Sequence, residues 1–293
     1  MPVWQGKSKG TVWGYRFFVA VLKKFGILPA YLILKFVAFY YLLFSYKSFS
    51  SSYHYFHHKL GYSTSRSFIS IYKNYLLFGQ SLIDKVVIMS GIPNKFTFNF
   101  DGEENLKDMV NMQKGGLLLS AHIGNWEIAG HLLNRLDTRV NVVMFDGEQH
   151  QIKTYMDSVT GERLLNVIVI KKDLSHIYEI NNAFKNNELV CMHSDRFIEG
   201  NKTLTTGFLG EDARFPAGAY VLATRFKVPL SFVFAAKEST FQYHFFASAP
   251  IEYGHLEKEA AMQEMLKDYA GAMEGMVQQY PEQWYNYYNF WQS

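Results

Sequence analysis

The residues best suited to chemistry lie close together in residues 115–133, which read GGLLLSAHIGNWEIAGHLL. An apolar run predicts a buried strand that leads directly into His122. Glu127 follows five positions later, where a helical pattern begins. An imidazole and a carboxylate are the two parts of a general-base pair, because the carboxylate fixes the tautomer of the ring and stabilises the imidazolium that forms. The segment therefore predicts His122 as a base that Glu127 orients.

The spacing of this pair requires a particular local structure. On one regular helix, residues five positions apart point about 140° away from each other. His122 must therefore lie on a loop and Glu127 in the first turn of the following helix. Gly124 permits the tight turn, and Asn125 can cap the helix. A strand, a turn and a helix in this order would bring the carboxylate back to the imidazole.

The sequence offers no clear enzyme nucleophile to act with the His122–Glu127 pair. No serine follows a predicted strand in a G-x-S-x-G elbow. The only cysteine, Cys191, lies in an apolar run and excludes an intrachain disulfide or a multi-cysteine metal site, so we interpret it as a buried structural thiol. The attacking hydroxyl is then predicted to belong to the substrate.

Other interpretations of these residues remain open. Glu127 could only complement the positive end of a helix. His122, Glu127 and His131 could bind a metal, joined by His193 and Asp195, as in a metal-dependent hydrolase, although their spacing differs from known zinc motifs. A non-catalytic membrane adaptor is the third possibility.

The charges of the chain are distributed unevenly. Residues 1–83 contain ten Lys or Arg and no Asp or Glu, whereas the other 210 residues carry a net charge of −7. Such a basic segment predicts an anionic surface as its partner. Residues 27–45, ILPAYLILKFVAFYYLLFS, would form an apolar helix about 28 Å long, close to the thickness of a bilayer core. Together these features favour a membrane containing anionic lipid over nucleic acid, and they divide the chain into an anchor (residues 1–52) and a second domain (residues 53–293). A buried helix of a soluble protein is the alternative, and the serine-rich residues 45–52 are expected to form a polar hinge.

The rest of the chain has the pattern of an α/β domain. Residues 55–89 are predicted to be helical. Short apolar runs then alternate with helical stretches, which predicts a mostly parallel central sheet flanked by helices. The predicted strands are residues 96–100, 116–120, 140–145, 167–170, 189–192, 229–235 and 241–247, and the helices among them are residues 126–134, 174–185, 217–226 and 257–279.

Several motifs resemble one protein family. His122-Ile123-Gly124-Asn125-Trp126-Glu127 resembles the H-x4-D/E motif of glycerolipid-type acyltransferases, and its Gly-Asn-Trp-Glu form is similar to the bacterial lipid A late acyltransferases. Three later segments agree in order with further blocks of that family: Asp195 with residues 207–210 (GFLG), residues 215–223 (FPAGAYVLA) and residues 280–284 (YPEQW). Arg196 stands where the family usually has Gln, and Arg163 is the nearest candidate for a family arginine.

The resemblance implies a function and a set of site residues. It implies transfer of a fatty acyl chain from a thioester of acyl carrier protein or CoA to a hydroxyl of a membrane lipid, a lipid A precursor or a related hydroxyacylated lipid. The reaction would occur at the cytoplasmic face of the bacterial inner membrane without metal or cofactor. His122 and Glu127 would be catalytic, and the substrate contacts would be Gly124, Asn125, Arg163, Asp195, Arg196, Phe208 and Gly210.

Several further residues are candidates for contact with the substrates. Asp195 follows a strand and could bind substrate or hold Arg196. Lys171, Lys172 and Arg214 could meet an acidic carrier or a phosphate, or form a solvated surface. The small residues Ala219 and Ala223, beside the 207–210 turn, are expected to line the slot for the acyl chain.

Overall fold

The structure is a computed structural model that describes residues 12–128, 136, 138–144, 166–171, 173–198 and 200–291. The α-helices in these residues are α1 (Val12–Phe25), α2 (Ile27–Phe44), α3 (Tyr46–Tyr53), α4 (Thr64–Met89), α5 (Glu103–Asn111), α6 (Ser175–Lys185), α7 (Gly218–Phe226) and α8 (Lys258–Gln279). A π-helical turn (His54–Lys59) follows α3, a 3-10 turn (Pro281–Gln283) follows α8, and residues 126–128 are also helical. The strands are β1 (Thr97–Asp101), β2 (Gly116–Ser120), β3 (Val140–Met144), β4 (Asn166–Val169), β5 (Leu189–His193), β6 (Thr203–Phe208), β7 (Glu211–Pro216), β8 (Leu230–Ser239) and β9 (Gln242–Ala247).

Seven of these strands form the central sheet, in the order β1-β9-β8-β2-β5-β3-β4. Five of its six pairings are parallel, and only the β8–β9 pairing is antiparallel. The predicted α/β fold with a mostly parallel sheet is confirmed. β2 and β5 are neighbours, with Ser120 opposite His193 at their carboxyl ends. The residues that follow these two strands therefore meet at one edge of the sheet, where α/β proteins commonly place their sites.

The sheet is buried on both faces, which explains why its central strand is apolar throughout. Leu117, Leu118 and Leu119 are each 0% exposed. Leu117 and Leu119 belong to the large core that includes α7 and α8, whereas Leu118 packs in a smaller cluster with α5. A strand buried on both faces needs apolar residues at every position rather than at alternate ones.

The amino-terminal helices pack against the rest of the molecule through α4. The buried residues of α2 are Ala30, Tyr31, Leu34 and Ala38, which share one face of the helix. Gly79 allows the two helices to approach closely, because a Cβ at this position would lie 2.4 Å from Cδ1 of Leu34. The helix α2 therefore lies along α4 instead of standing apart from the domain.

A buried polar cluster reinforces this packing. The carboxylate of Asp84, in α4, accepts hydrogen bonds from the Lys237 ammonium and from the hydroxyls of Tyr31 and Tyr243. Lys237 also donates to the Tyr31 hydroxyl over 2.8 Å. Since these four residues come from α2, α4, β8 and β9, the cluster connects the apolar helix to the central sheet.

The structure differs from the sequence prediction at the predicted hinge and in the helix that follows it. The serine-rich residues form helix α3, which crosses the predicted boundary between residues 52 and 53. The helix predicted over residues 55–89 is interrupted: α4 begins at Thr64, and the Ser63 hydroxyl accepts from the backbone N–H of Arg66. The division into an anchor and a second domain stays a prediction.

Candidate active site

His122 lies on the loop that follows β2, at the edge where β2 and β5 end. Its backbone N–H donates to Oδ2 of Asp195 over 3.0 Å, and its carbonyl accepts from the backbone N–H of Tyr285 over 2.9 Å. The loop therefore has hydrogen bonds on both sides, one donated to Asp195, which follows β5, and one accepted from the carboxyl-terminal segment. This arrangement fixes the position of the imidazole before any substrate binds.

Gly124 and Asn125 hold this loop against the sheet. Gly124 has φ +62°, and a Cβ there would lie 1.8 Å from the Ala235 carbonyl oxygen, so no other residue fits without a shift of the backbone. The backbone N–H of Asn125 donates to that carbonyl over 2.9 Å, and its side-chain amide donates to the Ser81 carbonyl over 2.8 Å. These hydrogen bonds position the loop, and the substrate contacts that we expected of both residues stay a prediction.

The imidazole of His122 is oriented by Asp195. Nδ1 of His122 lies 2.7 Å from Oδ1 of Asp195, while the indole N–H of Trp284 donates to Oδ2 over 3.3 Å. Burial alone would raise the pKa of the Asp195 carboxyl, but the neighbouring His122 and Arg196 hold it well below its ordinary value. The carboxylate is therefore ionised, Nδ1 carries the proton and donates it, and Nε2 keeps a free lone pair.

The environment of His122 also keeps the ring neutral. Burial lowers its pKa below the ordinary value, and the charge of Arg196 lowers it further. Asp195 opposes these effects, and Glu127 does so more weakly. A neutral imidazole with a free Nε2 can accept a proton, which is the requirement for a general base.

Glu127 occupies a different position from the one that we predicted. We expected its carboxylate to hold the imidazole; in the structure Asp195 makes that contact, and Glu127 forms an ion pair with Lys85 of α4. Glu127 lies in the first turn of the helix after the loop, and its side chain is 30% exposed. Its carboxylate influences His122 through charge rather than through a hydrogen bond.

The nearby hydroxyl and thiol groups are poorly suited to be enzyme nucleophiles. The Ser194 hydroxyl donates to the Tyr220 hydroxyl over 3.1 Å, and the Ser120 hydroxyl points to the Ala121 carbonyl over 3.4 Å. Burial raises the pKa of the Cys191 thiol to about 12, so it stays protonated, as a structural thiol should. These contacts agree with an attacking group that the substrate supplies.

The carboxyl-terminal segment covers the loop from the other side. The Gln283 carbonyl accepts from the Gly124 backbone N–H over 2.9 Å, and Ile123 and Trp284 form an isolated antiparallel bridge. The Arg196 guanidinium donates to the Tyr285 carbonyl. The family-like segment at residues 280–284 is therefore part of the site, although its residue types alone did not indicate which partner it would contact.

Phe208 and Gly210 lie behind the site. Phe208 is 1% exposed and packs edge-on against Trp284, with ring centroids 5.6 Å apart, while Gly210 forms the exposed turn between β6 and β7 with φ +82°. Phe208 therefore supports the residue that donates to Asp195. Ala219 and Ala223, where we expected the acyl slot, are 3% and 1% exposed inside the large core. The predicted residues Arg163, His131 and Lys172 lie outside the described residues.

A second imidazole lies beside the first. His193, the last residue of β5, has its ring centroid 4.3 Å from that of His122 and 4.7 Å from that of Trp126. Candidate metal-ligand atoms of His122, His193 and Asp195 lie within 4.8 Å of one another. Both oxygens of Asp195 and Nδ1 of His122 are already hydrogen-bonded, and the positive charge of Arg196 acts on all three residues, so these residues fit a proton-transfer site better than a cation site.

A comparison of the sequence with models of known protein families identifies the family of this chain. The family model described as bacterial lipid A biosynthesis acyltransferase matches residues 72–293, which is most of the chain. The chain belongs to that family. It is therefore an acyltransferase that acts on lipids, and the predicted enzyme class is confirmed. Comparison with curated proteins finds no match.

Solved structures give a weaker likeness. The crystal structure of the 1-acyl-sn-glycerophosphate acyltransferase from Thermotoga maritima aligns with 84% of this chain and 95% of its own, at 12% sequence identity and a TM-score of 0.41. The family match covers all of the site residues discussed above, including His122, Glu127, Asp195 and the carboxyl-terminal segment.

Proposed function

We propose that this acyltransferase moves a fatty acyl chain from a thioester donor, acyl carrier protein or CoA, to a hydroxyl of a membrane lipid. The acceptor is a lipid A precursor or a related hydroxyacylated lipid, and the reaction takes place at the cytoplasmic face of the bacterial inner membrane. The observation that carries the proposal is the His122–Asp195 hydrogen bond, which leaves Nε2 of a neutral imidazole free to accept a proton.

The proposed reaction is a direct transfer. Nε2 of His122 takes the proton of the acceptor hydroxyl as its oxygen attacks the thioester carbonyl carbon, and the imidazolium is stabilised by Asp195. When the carbonyl re-forms, the carbon–sulfur bond breaks and the proton passes from His122 to the departing thiolate. General-base assistance of this kind is typically worth about 10²–10⁴ in rate. Glu127 adds negative charge near the imidazolium and retains a catalytic role through electrostatics.

The exposed side of α2 supports a position on the membrane. Large apolar side chains recur along one stripe of this helix at helical spacing, opposite the face that packs on α4. They are Leu28, Leu32, Phe36, Phe39 and Leu43, each between 53% and 72% exposed. Among the described residues, α2 is the one helix long and apolar enough to cross a bilayer. Because its other face is packed on α4, which is hydrogen-bonded to the catalytic domain, we propose that α2 lies at the membrane surface with this stripe in the lipid.

The experiment that tests this function offers purified full-length enzyme labelled acyl-carrier-protein and acyl-CoA donors together with lipid A precursors and a total lipid extract. We expect an ester-linked lipid product with at least one donor and no change in rate when a chelator is present. Loss of activity on chelation, with recovery on addition of a divalent metal, would instead favour the alternative of a metal-dependent hydrolase using His122, Glu127 and His131, joined by His193 and Asp195. Failure of every donor with every lipid would contradict the proposal.

A further inference from the structure

His193 is a buried polar residue that the reaction described above does not use. Within the part of the chain that the structure describes, neither of its ring nitrogens has a hydrogen-bond partner, and both are buried. The Ser120 carbonyl lies near the ring, but it already accepts from the Ser194 backbone N–H over 3.0 Å and from the Tyr269 hydroxyl over 2.8 Å. A buried polar group without a partner is costly, so its presence beside a catalytic base calls for a ligand.

The surroundings of His193 determine what kind of ligand it can bind. Burial lowers its pKa well below the ordinary value, and the neighbouring His122 lowers it further. The ring is therefore neutral, with one N–H donor and one acceptor nitrogen. An uncharged N–H can donate to a carbonyl oxygen, and this hydrogen bond becomes stronger as negative charge develops on that oxygen.

An apolar cavity begins next to this imidazole. It is lined by Ser120, Trp126, Val142, Cys191, Val233 and Phe245. Trp126 also contacts the His193 ring, and Ser120 is the register partner of His193. Side chains alternate between the two faces of a strand, so Cys191 and His193, two positions apart in β5, point to the same face. His193 therefore faces the same side of the sheet as the cavity wall and lies next to two of its lining residues, Ser120 and Trp126.

The residues that line the cavity are mostly apolar, and its polar or acidic lining residues are Ser120, Asp101 and Glu103. Ser120 lies opposite His193 in the β2–β5 pairing, whereas the Asp101 side chain is 68% exposed. A mostly apolar cavity with a carbonyl-binding donor beside it matches an acyl chain, whose only polar group is at the reacting end. Ala219 and Ala223, where the slot was expected, lie in the large core that includes Leu117 and Leu119. The cavity-lining Val142, Cys191 and Val233 are not part of that core, and Cys191 packs with Leu118.

We propose that the donor thioester binds with its carbonyl oxygen at the N–H of His193 and its acyl chain in this cavity. This proposal rests on the acyl transfer proposed above and assigns the donor half of the same site. As the acceptor oxygen bonds to the carbonyl carbon and its proton moves to His122, the electron pair of the C=O bond moves to the oxygen that His193 contacts. That oxygen returns the pair when the carbon–sulfur bond breaks, so His193 stabilises charge without exchanging a proton.

The first arm of the test compares two substitutions of His193 in the full-length enzyme. His193→Phe keeps a ring against His122 and Trp126 but removes the N–H, whereas His193→Gln keeps an N–H donor. We expect His193→Phe to lower kcat by about 10²–10³ with little change in KM, because the hydrogen bond strengthens only in the transition state. His193→Gln should stay within about tenfold of the unaltered enzyme. If His193→Phe retains the full kcat, His193 is only a packing residue and the proposal is overturned.

The second arm compares two substitutions at Cys191 with donors of different chain length. Cys191→Leu narrows the cavity and should shift the preference to shorter chains, by about fourfold for each excluded methylene. Cys191→Ala widens it at the same place and should shift the preference to longer chains. Thermal melts of all four variants separate these effects from loss of folding. A chain-length profile unchanged in both Cys191 variants would place the chain elsewhere, whereas an unaltered enzyme that transfers no acyl group would overturn the proposed function itself.

Discussion

Nδ1 of His122 lies 2.7 Å from Oδ1 of Asp195, although 73 positions separate the two residues in the chain. The parallel pairing of β2 with β5 makes this contact possible, because it places Ser120 opposite His193 and the two following segments side by side. The orienter of the base therefore comes from a neighbouring strand rather than from the helix that carries Glu127.

Substitution should distinguish the roles of the two carboxylates near His122, those of Asp195 and Glu127. Asp195→Asn replaces the carboxylate with an uncharged amide that can donate to Nδ1 and so favour the wrong tautomer of His122; we expect a loss of about 10²–10⁴ in kcat/KM. Glu127→Gln removes only a nearby charge that is already paired with Lys85, and the loss should be at least tenfold smaller. Steady-state kinetics of both variants, with circular dichroism as a control for folding, shows which of the two carboxylates orients His122. A larger loss in Glu127→Gln would return the orienting role to Glu127.

The acid limb of the pH profile should respond to Arg196. His122 acts as a base only when neutral, and burial together with the Arg196 charge lowers its pKa below the ordinary value. The rate should therefore fall only as the pH drops through that lowered value. Arg196→Gln removes the positive charge, so the pKa of His122 should rise and the limb should move to higher pH. Arg196→Lys, which keeps the charge, should leave the limb in place. An acid limb that also stays in place in Arg196→Gln would contradict the assignment of His122 as the base.

The buried Asp84–Lys237 pair should matter for stability rather than for catalysis. Lys237→Met leaves the Asp84 carboxylate buried without its cation, which should cost about 3–5 kcal/mol of unfolding free energy. Replacing both residues together, Asp84→Leu with Lys237→Met, should recover part of that loss because no buried charge remains. Denaturant unfolding in detergent measures both values. Equal losses in the single and double variants would show that the pair does not act as a unit.

The apolar stripe of α2 should control membrane binding. Phe36 and Phe39 are 72% and 53% exposed, so replacing both with Asp should leave the fold intact. Removing two such side chains from lipid should weaken binding to anionic vesicles by about two orders of magnitude or more. Tyr178→Asp, at a 75% exposed aromatic of α6, serves as the control with the same added charge type. Flotation that is unchanged in the Phe36/Phe39 variant would mean that this stripe does not face the lipid.

Local patterns in the sequence predicted most of the sheet. The strand before His122 was predicted with the bounds observed, Gly116–Ser120, because a continuous apolar run is typical of a strand buried on both faces. The hairpin β6–β7 was missed. Its turn at Leu209 and Gly210 has φ +51° and +82°, and a leucine at the first position lacks the Asn-Gly or Asp-Gly signal of such turns.

The long-range contacts of the site could not be read from local patterns. Asp195 was recognised as a candidate at the end of a strand, but its partner depends on the order of strands in the sheet, which no short segment encodes. Trp284 lies 89 positions after Asp195, and its indole reaches the carboxylate only because the carboxyl-terminal segment pairs with the loop at Ile123. The residues of the site were therefore largely predictable, whereas their roles depended on the tertiary structure.

A single-turnover experiment that follows a labelled acyl group can distinguish direct transfer assisted by His122 from transfer through an acyl-enzyme. Full-length enzyme in excess over a radiolabelled acyl thioester is mixed with acceptor lipid, quenched at successive times and separated into protein and lipid. We expect the label to pass from the donor to an ester of the lipid without accumulating on the protein, and His122→Ala to slow this step by about 10²-fold or more. Label covalently bound to the protein before it reaches the lipid, or an unchanged rate in His122→Ala, would contradict direct transfer assisted by His122.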